Sequence, residues 1–156
     1  MAWDKTIKVH KDDRDEQKKP RENVMRARTN CHTKDIISGD YSHNLGLIAT
    51  GSRDHNVRIW DYEKVKQEDE IKAHEVEVTT VKFLKPLPLL LTADSKGVMF
   101  IWLIHPHPLG KKCIVKWTNK HSMESDVPIS AVDSYFNEET GEFLLLIGDE
   151  KGEVKI

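Results

Sequence analysis

Residues Leu47 to Asp61 read LIATGSRDHNVRIWD, and the same pattern returns twice further along the chain. Leu89 to Leu103 read LLLTADSKGVMFIWL, and Leu144 to Ile156 read LLLIGDEKGEVKI. A fourth stretch, DKTIKVH (Asp4 to His10), matches only the tail of the unit. Trp60 and Trp102 stand 42 residues apart, a period that marks an array of stacked repeat units. The third copy ends where the first two carry their tryptophan. The chain therefore reads as a window from a longer repeat protein.

Each copy predicts short strands separated by turns. Val78-Thr79-Thr80-Val81-Lys82-Phe83 is rich in β-branched and aromatic residues, which favour a strand. Lys85-Pro86-Leu87-Pro88 breaks it, and Leu89 to Thr92 is an apolar run suited to a strand buried on both faces. The polar turn Asp94-Ser95-Lys96-Gly97 leads into Val98 to Trp102, as Arg53 to Asn56 leads into Val57 to Trp60. Outside the charged N-terminal stretch no segment carries a convincing helical period.

Composition narrows the function classes. Hydrophobic residues make up 38% and charged residues 32%, a balance suited to thin sheets with small two-sided cores. A formal net charge of −2 argues against a general nucleic-acid binder, which would show a basic stripe. Cys31 and Cys113 are too few for a disulfide framework. The N-terminal residues lack the apolar core of a secretory signal, and no apolar run approaches membrane-spanning length. These features predict a reduced, cytoplasmic compartment and no membrane partner.

The repeat resembles a WD-repeat β-propeller, whose blades are four-stranded antiparallel sheets. In such repeats a His opens the unit, a hydroxyl residue sits on the second strand, an Asp lies in the next turn and Trp-Asp closes the third strand. The resemblance places His32, Thr50, Asp54, Trp60 and Asp61 in these roles in the first unit. The second unit keeps His74, Thr92 and Trp102 but has Lys96 at the Asp position and Leu103 after the Trp. The third is degenerate, with Ile147 and Lys151 at the hydroxyl and Asp positions.

The expected fold is all-β: two complete four-stranded blades flanked by two partial ones, an incomplete propeller. Residues 1–31 would give the end strands of a preceding blade, with His10 at the Trp position and an outer strand over Val24 to Arg28. Residues 32–73 and 74–117 would be whole blades, and 118–156 an insert followed by the first three strands of the next. The two ends would supply two third strands for one blade, and three blades fall below the usual number for a ring. The remaining blades are therefore expected from a longer chain or a companion chain, because open repeat ends expose unpaired edges.

His32, Thr50 and Asp54 match the residue types of a nucleophile, base and orienter. The chemistry of the repeat favours a structural role. A buried Trp indole needs an acceptor; a Thr hydroxyl can accept it while donating to an imidazole, whose other N–H can reach a carboxylate. No metal site is predicted: His105-Pro106-His107-Pro108 with Cys113 lacks a second ligand pair at zinc spacing and reads as a loop. The mixed-charge run Lys11 to Lys19 and the insert Asn119 to Val127 read as solvated connections or partner-docking loops. No phosphate loop or paired-carboxylate motif is present, so no cofactor is expected.

These readings point to a non-catalytic scaffold that binds other proteins through the turns at its rims, with Arg53, His55, Lys85 and Lys96 as candidate partner-binding residues. The phrases FLKPLPLLLTADSKGVMFIW (Phe83 to Trp102) and HTKDIISGDYSHNLGLIATGS (His32 to Ser52) resemble the EF-hand/WD-repeat proteins of cilia and flagella. That resemblance implies axonemal or tubulin-associated partners. The alternative is a generic cytoplasmic adaptor, such as a ubiquitin-ligase or chromatin-complex subunit.

Overall fold

The computed structural model describes residues 5–11, 23–106, 112–115, 121–122 and 127–156. All regular structure among them is β-strand, in four antiparallel sheets that follow chain order. β1 (Ile7–Lys11) pairs with β2 (Asn23–Arg28). β3 (Ile36–Ser42), β4 (Leu47–Ser52), β5 (Val57–Asp61) and β6 (Lys66–Ile71) form a complete four-stranded meander. In the next sheet β7 (Val78–Phe83), β8 (Leu89–Asp94) and β9 (Val98–Pro106) are followed by β10 (Lys112–Val115) and β11 (His121–Ser122), both paired with β9. The last sheet holds β12 (Ile129–Phe136), β13 (Phe143–Asp149) and β14 (Val154–Lys155). Two complete blades between two partial ones make a partial β-propeller.

Alternation along the strands decides which sheet packs on which. In β4 and β5 the side chains of Leu47, Ala49, Val57 and Ile59 point to one face, and all are buried. They form a core with Val78, Val81 and Phe83 of β7. Leu91, Ala93 and Met99 pack in the same way against Ile129 of β12. Ile7 and Val9 of β1 pack with Trp60 and, at its edge, Ile36 of β3. β7 thus lies over β3 and β4 of the sheet before it, and β12 over β7.

A bulge makes this fit possible. The register of β3 shifts between Ile36 and Ser38, that of β7 between Val78 and Thr80, and that of β12 between Ile129 and Ala131. The extra residue brings Val78 and Val81 to one face, where unbroken alternation would oppose them. Gly51 is the matching feature on β4: a Cβ there would lie 2.7 Å from Val81 Cγ2 and 2.8 Å from Val78 Cγ1.

The turns between second and third strands also repeat. His55, Gly97 and Gly152 occupy the same place in their turns with φ of 69°, 73° and 83°. Glycine adopts this region freely, and a histidine does so at a cost.

The second complete sheet departs from the sequence expectation. His105 and Pro106, read as part of a loop, belong to β9, where they pair with Cys113 and Lys112. The outer strand is split, and β11 carries the sheet to Ser122, beyond the expected boundary at 117. Prolines in an outer region of a sheet are tolerated where their missing N–H faces away from the ladder. β2 covers the segment expected as an outer strand. The charged run from 12 onward, the His10 side chain, His107, Pro108 and most of the insert at 119–127 lie outside the described residues.

Candidate functional site: buried polar networks and the rim groove

Thr50 is buried on the face of β4 opposite Ala49 and Gly51 and is the hub of the first network. Trp60 Nε1 donates to Thr50 Oγ1 over 2.9 Å, and Thr50 Oγ1 lies 2.8 Å from His32 Nε2. His32 Nδ1 lies 3.0 Å from Asp54 Oδ1. The indole can only donate, so the hydroxyl accepts from it and donates to Nε2, which leaves Nδ1–H to donate to the carboxylate. Asp54 Oδ2 also accepts from the Thr33 amide at 2.9 Å, and Oδ1 from the Asn56 amide at 3.2 Å.

The electrostatics match this tautomer. Burial lowers the His32 pKa below its ordinary value, against the smaller upward pull of Asp54, so the imidazole is neutral at pH 7. Burial pushes the Asp54 carboxyl up, but hydrogen bonds from the Thr33 amide and His32, with the Asn56 amide, outweigh it and hold the group below the usual carboxylate range. Thr50 is 4% exposed, and its hydroxyl is bonded to both Trp60 and His32. What the arrangement can do is tie the third strand to the second and both to the loop that enters the sheet.

The second complete sheet repeats the network with one change. Trp102 Nε1 donates to Thr92 Oγ1 at 2.9 Å, and Thr92 Oγ1 lies 2.9 Å from His74 Nε2. The carboxylate is Asp94, whose Oδ2 is 2.8 Å from His74 Nδ1. Lys96 holds the position of Asp54 in the repeat, as the sequence shows, and the carboxylate comes from two residues earlier: the Lys96 amide donates to Asp94 Oδ1 at 3.0 Å, as does the Val98 amide at 3.1 Å. Asp94 stands where Ser52 stands in the first sheet, and Ser52 Oγ there accepts the Asp54 amide. One carboxylate thus does the work of Ser52 and Asp54 together. Burial lowers the His74 pKa as well, opposed by Asp94.

The third sheet keeps only the turn. Asp149 Oδ1 accepts the amides of Lys151 at 2.9 Å and Glu153 at 3.0 Å, as Asp94 does. Ile147 replaces the hydroxyl residue. The sequence does carry a signal for these two carboxylates: both turns read Asp-x-Lys-Gly, with Asp at the first turn position where its side chain can bond amides two residues on.

Other contacts seat the sheets. The Arg28 guanidinium lies 5.4 Å from the centre of the Trp60 ring and donates to the Val65 carbonyl. Arg58 pairs with Glu70 at 2.9 Å and bonds the Cys31 carbonyl. Phe100 takes the place of Arg58 in the next sheet, edge-on to His74 at 4.9 Å.

Directly above the networks, the turns of the first two complete sheets enclose an open groove of about 610 Å³. Lys5, Thr33, Lys34, Asp35, Arg53, His55, Glu77 and Ser95 line it. The loops are fixed by repeated backbone bonds: the Arg53 amide donates to Asp35 O and the Ser95 amide to Glu77 O, both at 3.0 Å. Arg53 spans the seam, 3.3 Å from Glu77 and 3.8 Å from Asp35. Exposed pairs of this kind contribute about 1 kcal/mol or less, so they can be exchanged for a ligand's charges at small cost.

Of the four candidate partner-binding residues, Arg53 and His55 share this groove. Lys96 lies in the β8–β9 turn beside it. Lys85 follows β7 in a turn at the opposite end of the strands, near Asp40 at 3.9 Å. The four do not make one surface. Lys5, Thr33 and Lys34 come from the segments preceding β3, and only the folded arrangement joins them to Arg53. Among the described residues no three His, Cys, Asp or Glu side chains are grouped to hold a metal, and no helix is long and apolar enough to cross a membrane.

Residues 24–61 match the family described as WD domain, G-beta repeat. The chain is 26% identical over 111 residues to Mitochondrial division protein 1 of Kluyveromyces lactis, covering 70% of this chain and 15% of that protein. It is 29% identical over 72 residues to human Apoptotic protease-activating factor 1, covering 46% of this chain and 6% of that one. The chain therefore spans a small part of the length of either relative. The matched stretch begins in β2, the outer strand of one sheet, and ends with β5 of the next. The sheet that follows the matched stretch is built on the same plan.

Proposed function

We propose that the chain is a non-catalytic scaffold segment that binds other proteins through the groove between its first two complete sheets. The observation that carries this reading is the division of labour among the polar residues. His32, Thr50, Asp54 and Trp60 are spent inside on one another, while Lys5, Lys34, Arg53 and His55 are presented outward on the loops those bonds hold. The relatives' names refer to unrelated tasks, mitochondrial division and protease activation, which supports a repeat that serves as a platform. A groove lined by cations and carboxylates together suits a mixed-charge polypeptide segment; nucleic acid would call for a basic stripe.

The place of work is proposed as the cytoplasm, and within it the ciliary axoneme, on the strength of the Phe83 to Trp102 and His32 to Ser52 phrasing. Affinity capture from axonemal extract at moderate salt, with unaltered chain beside Lys34→Glu/Arg53→Glu, tests both parts. Tubulin-lattice proteins recovered by the first and not the second support them. Ubiquitin-ligase or chromatin subunits in their place favour the adaptor reading, and equal recovery by both forms removes the groove from the mechanism.

A further inference from the structure

The groove carries side chains that the turns themselves do not require. Arg53, Ser95 and Glu150 follow Ser52, Asp94 and Asp149 in the three turns, and each amide donates to a loop carbonyl: Asp35 O at 3.0 Å, Glu77 O at 3.0 Å and Pro128 O at 3.1 Å. The backbone bond forms whichever side chain is present, so the guanidinium of Arg53 is free of that duty. His55 stands where the other two turns carry Gly97 and Gly152, at φ of 69°. Lys5, which reaches the groove from the segment before β1, has φ of 55°. A left-handed backbone is costly for a residue with a Cβ, and such strain gathers at ligand sites. Two of the groove's side chains are thus kept at positions whose backbone favours glycine.

Pairing inside the groove decides which ligand charge it takes. Both of its carboxylates face Arg53, Glu77 at 3.3 Å and Asp35 at 3.8 Å. Lys5 Nζ donates to a neutral group, Thr33 O, at 2.8 Å, which leaves its charge unbalanced and two N–H groups over. Among the described residues the side chains of Lys34 and His55 have no hydrogen-bond or ion-pair partner. The nearby Asp54 carboxylate is committed to His32 and to the Thr33 and Asn56 amides. What remains for a ligand is three nitrogen donors, and every carboxylate there already has a partner.

We propose that the groove takes the side-chain carboxylates of an acidic, extended segment of a partner protein, with Lys5, Lys34 and His55 as the groups that meet them. Val76, also in the lining, offers apolar contact for the methylenes of such side chains. This rests on the scaffold reading of the groove and adds the sign of the ligand's charge: within a mixed-charge segment, the acidic residues are the ones that enter. Arg53 is a positioning residue. Held between Asp35 and Glu77, it neutralises both, so an incoming carboxylate is not repelled. A phosphoryl group fits less well, because it favours a free guanidinium fork and that of Arg53 is occupied. A basic segment would have to displace Arg53 from both carboxylates.

The test titrates the chain at low salt with three peptides capped at both ends: hexaglutamate, hexalysine, and hexaglutamate with one phosphoserine substituted. Amide signals of residues 33–35 and 53–55 report binding. Hexaglutamate should shift them, and Lys5→Gln/Lys34→Gln should weaken its binding by about tenfold or more. Glu77→Gln should tighten it by about threefold, because a carboxylate leaves the groove and one side of Arg53 is freed. Absence of hexaglutamate binding, tighter binding of either other peptide, insensitivity to Lys5→Gln/Lys34→Gln, or binding left unchanged or weakened by Glu77→Gln would each overturn the proposal. The two readings fail separately. Partner capture that needs Lys34 and Arg53, with no hexaglutamate binding, keeps the groove and removes the acidic ligand. Hexaglutamate binding in the groove, with partner capture indifferent to Lys34→Glu/Arg53→Glu, keeps the acidic site and removes the groove from the scaffold reading.

Discussion

His74 Nδ1 lies 2.8 Å from Asp94 Oδ2, although Asp94 sits two residues ahead of the position that carries the matching carboxylate in the sheet before it. The same carboxylate receives the amides of Lys96 and Val98. Asp94→Ala should therefore cost about 2–4 kcal/mol, because it strands three donors at once. Lys96→Ala should stay within about 0.5 kcal/mol. Urea denaturation of the two variants checks this, and similar losses would contradict the role given to Asp94.

Acid should weaken the fold in two stages. His32 and His74 have folded pKa values below their ordinary 6.5, so the unfolded chain binds more protons through that window. Their contribution is complete above about pH 6.5 and is lost progressively as pH falls toward the folded values. The lowered Asp54 pKa adds a second loss below its ordinary 3.8. Denaturation midpoints measured from pH 7.5 down to pH 5 should fall, and the fall should flatten in His32→Gln/His74→Gln after allowance for its lower starting stability.

Gly51 tests the seam between the two complete sheets. Gly51→Val drives a branched side chain into Val78 and Val81, where even a Cβ would sit at 2.7–2.8 Å. Overpacking of this kind costs about 1–3 kcal/mol or somewhat more. Gly148→Val, at the same position in the uncovered sheet, should cost far less, since the nearest atom to a Cβ there is Ala131 Cβ at 3.7 Å. Equal costs in thermal melts would contradict the packing described.

His55 tests whether the rim trades stability for binding. It holds φ of 69° where the two other sheets use glycine. His55→Gly should raise stability by about 1 kcal/mol. The same change should weaken partner capture if the imidazole is a contact in the groove. Loss of stability on this change would show that the histidine is held by interactions stronger than its backbone strain.

Much of this was legible in the sequence because the repeat states it several times over. Leu47 to Trp60 and Leu89 to Trp102 show the strands directly, since buried residues and turn residues fall at the same places in both. Thr50, Thr92 and the two histidines follow from what a buried indole needs. Asp94 was not legible by position, because a carboxylate two residues earlier on the strand reaches the same imidazole; only the shared Asp-x-Lys-Gly turn hints at it. The length of β9 was hidden by Pro106, which reads as a breaker until its place in the outer region of the sheet is known. The groove could not be read at all, since Lys5 and Thr33 meet Arg53 only after the sheets stack.

The most direct test of the scaffold reading is the affinity of the captured partner for three forms of the chain at moderate salt: unaltered, Lys34→Glu/Arg53→Glu and Lys85→Glu. Binding through the groove predicts about tenfold or greater weakening in the first variant, from loss of contact charges, and no change in the second, whose residue lies at the opposite rim. Equal affinity for all three, or weakening by Lys85→Glu alone, would contradict it.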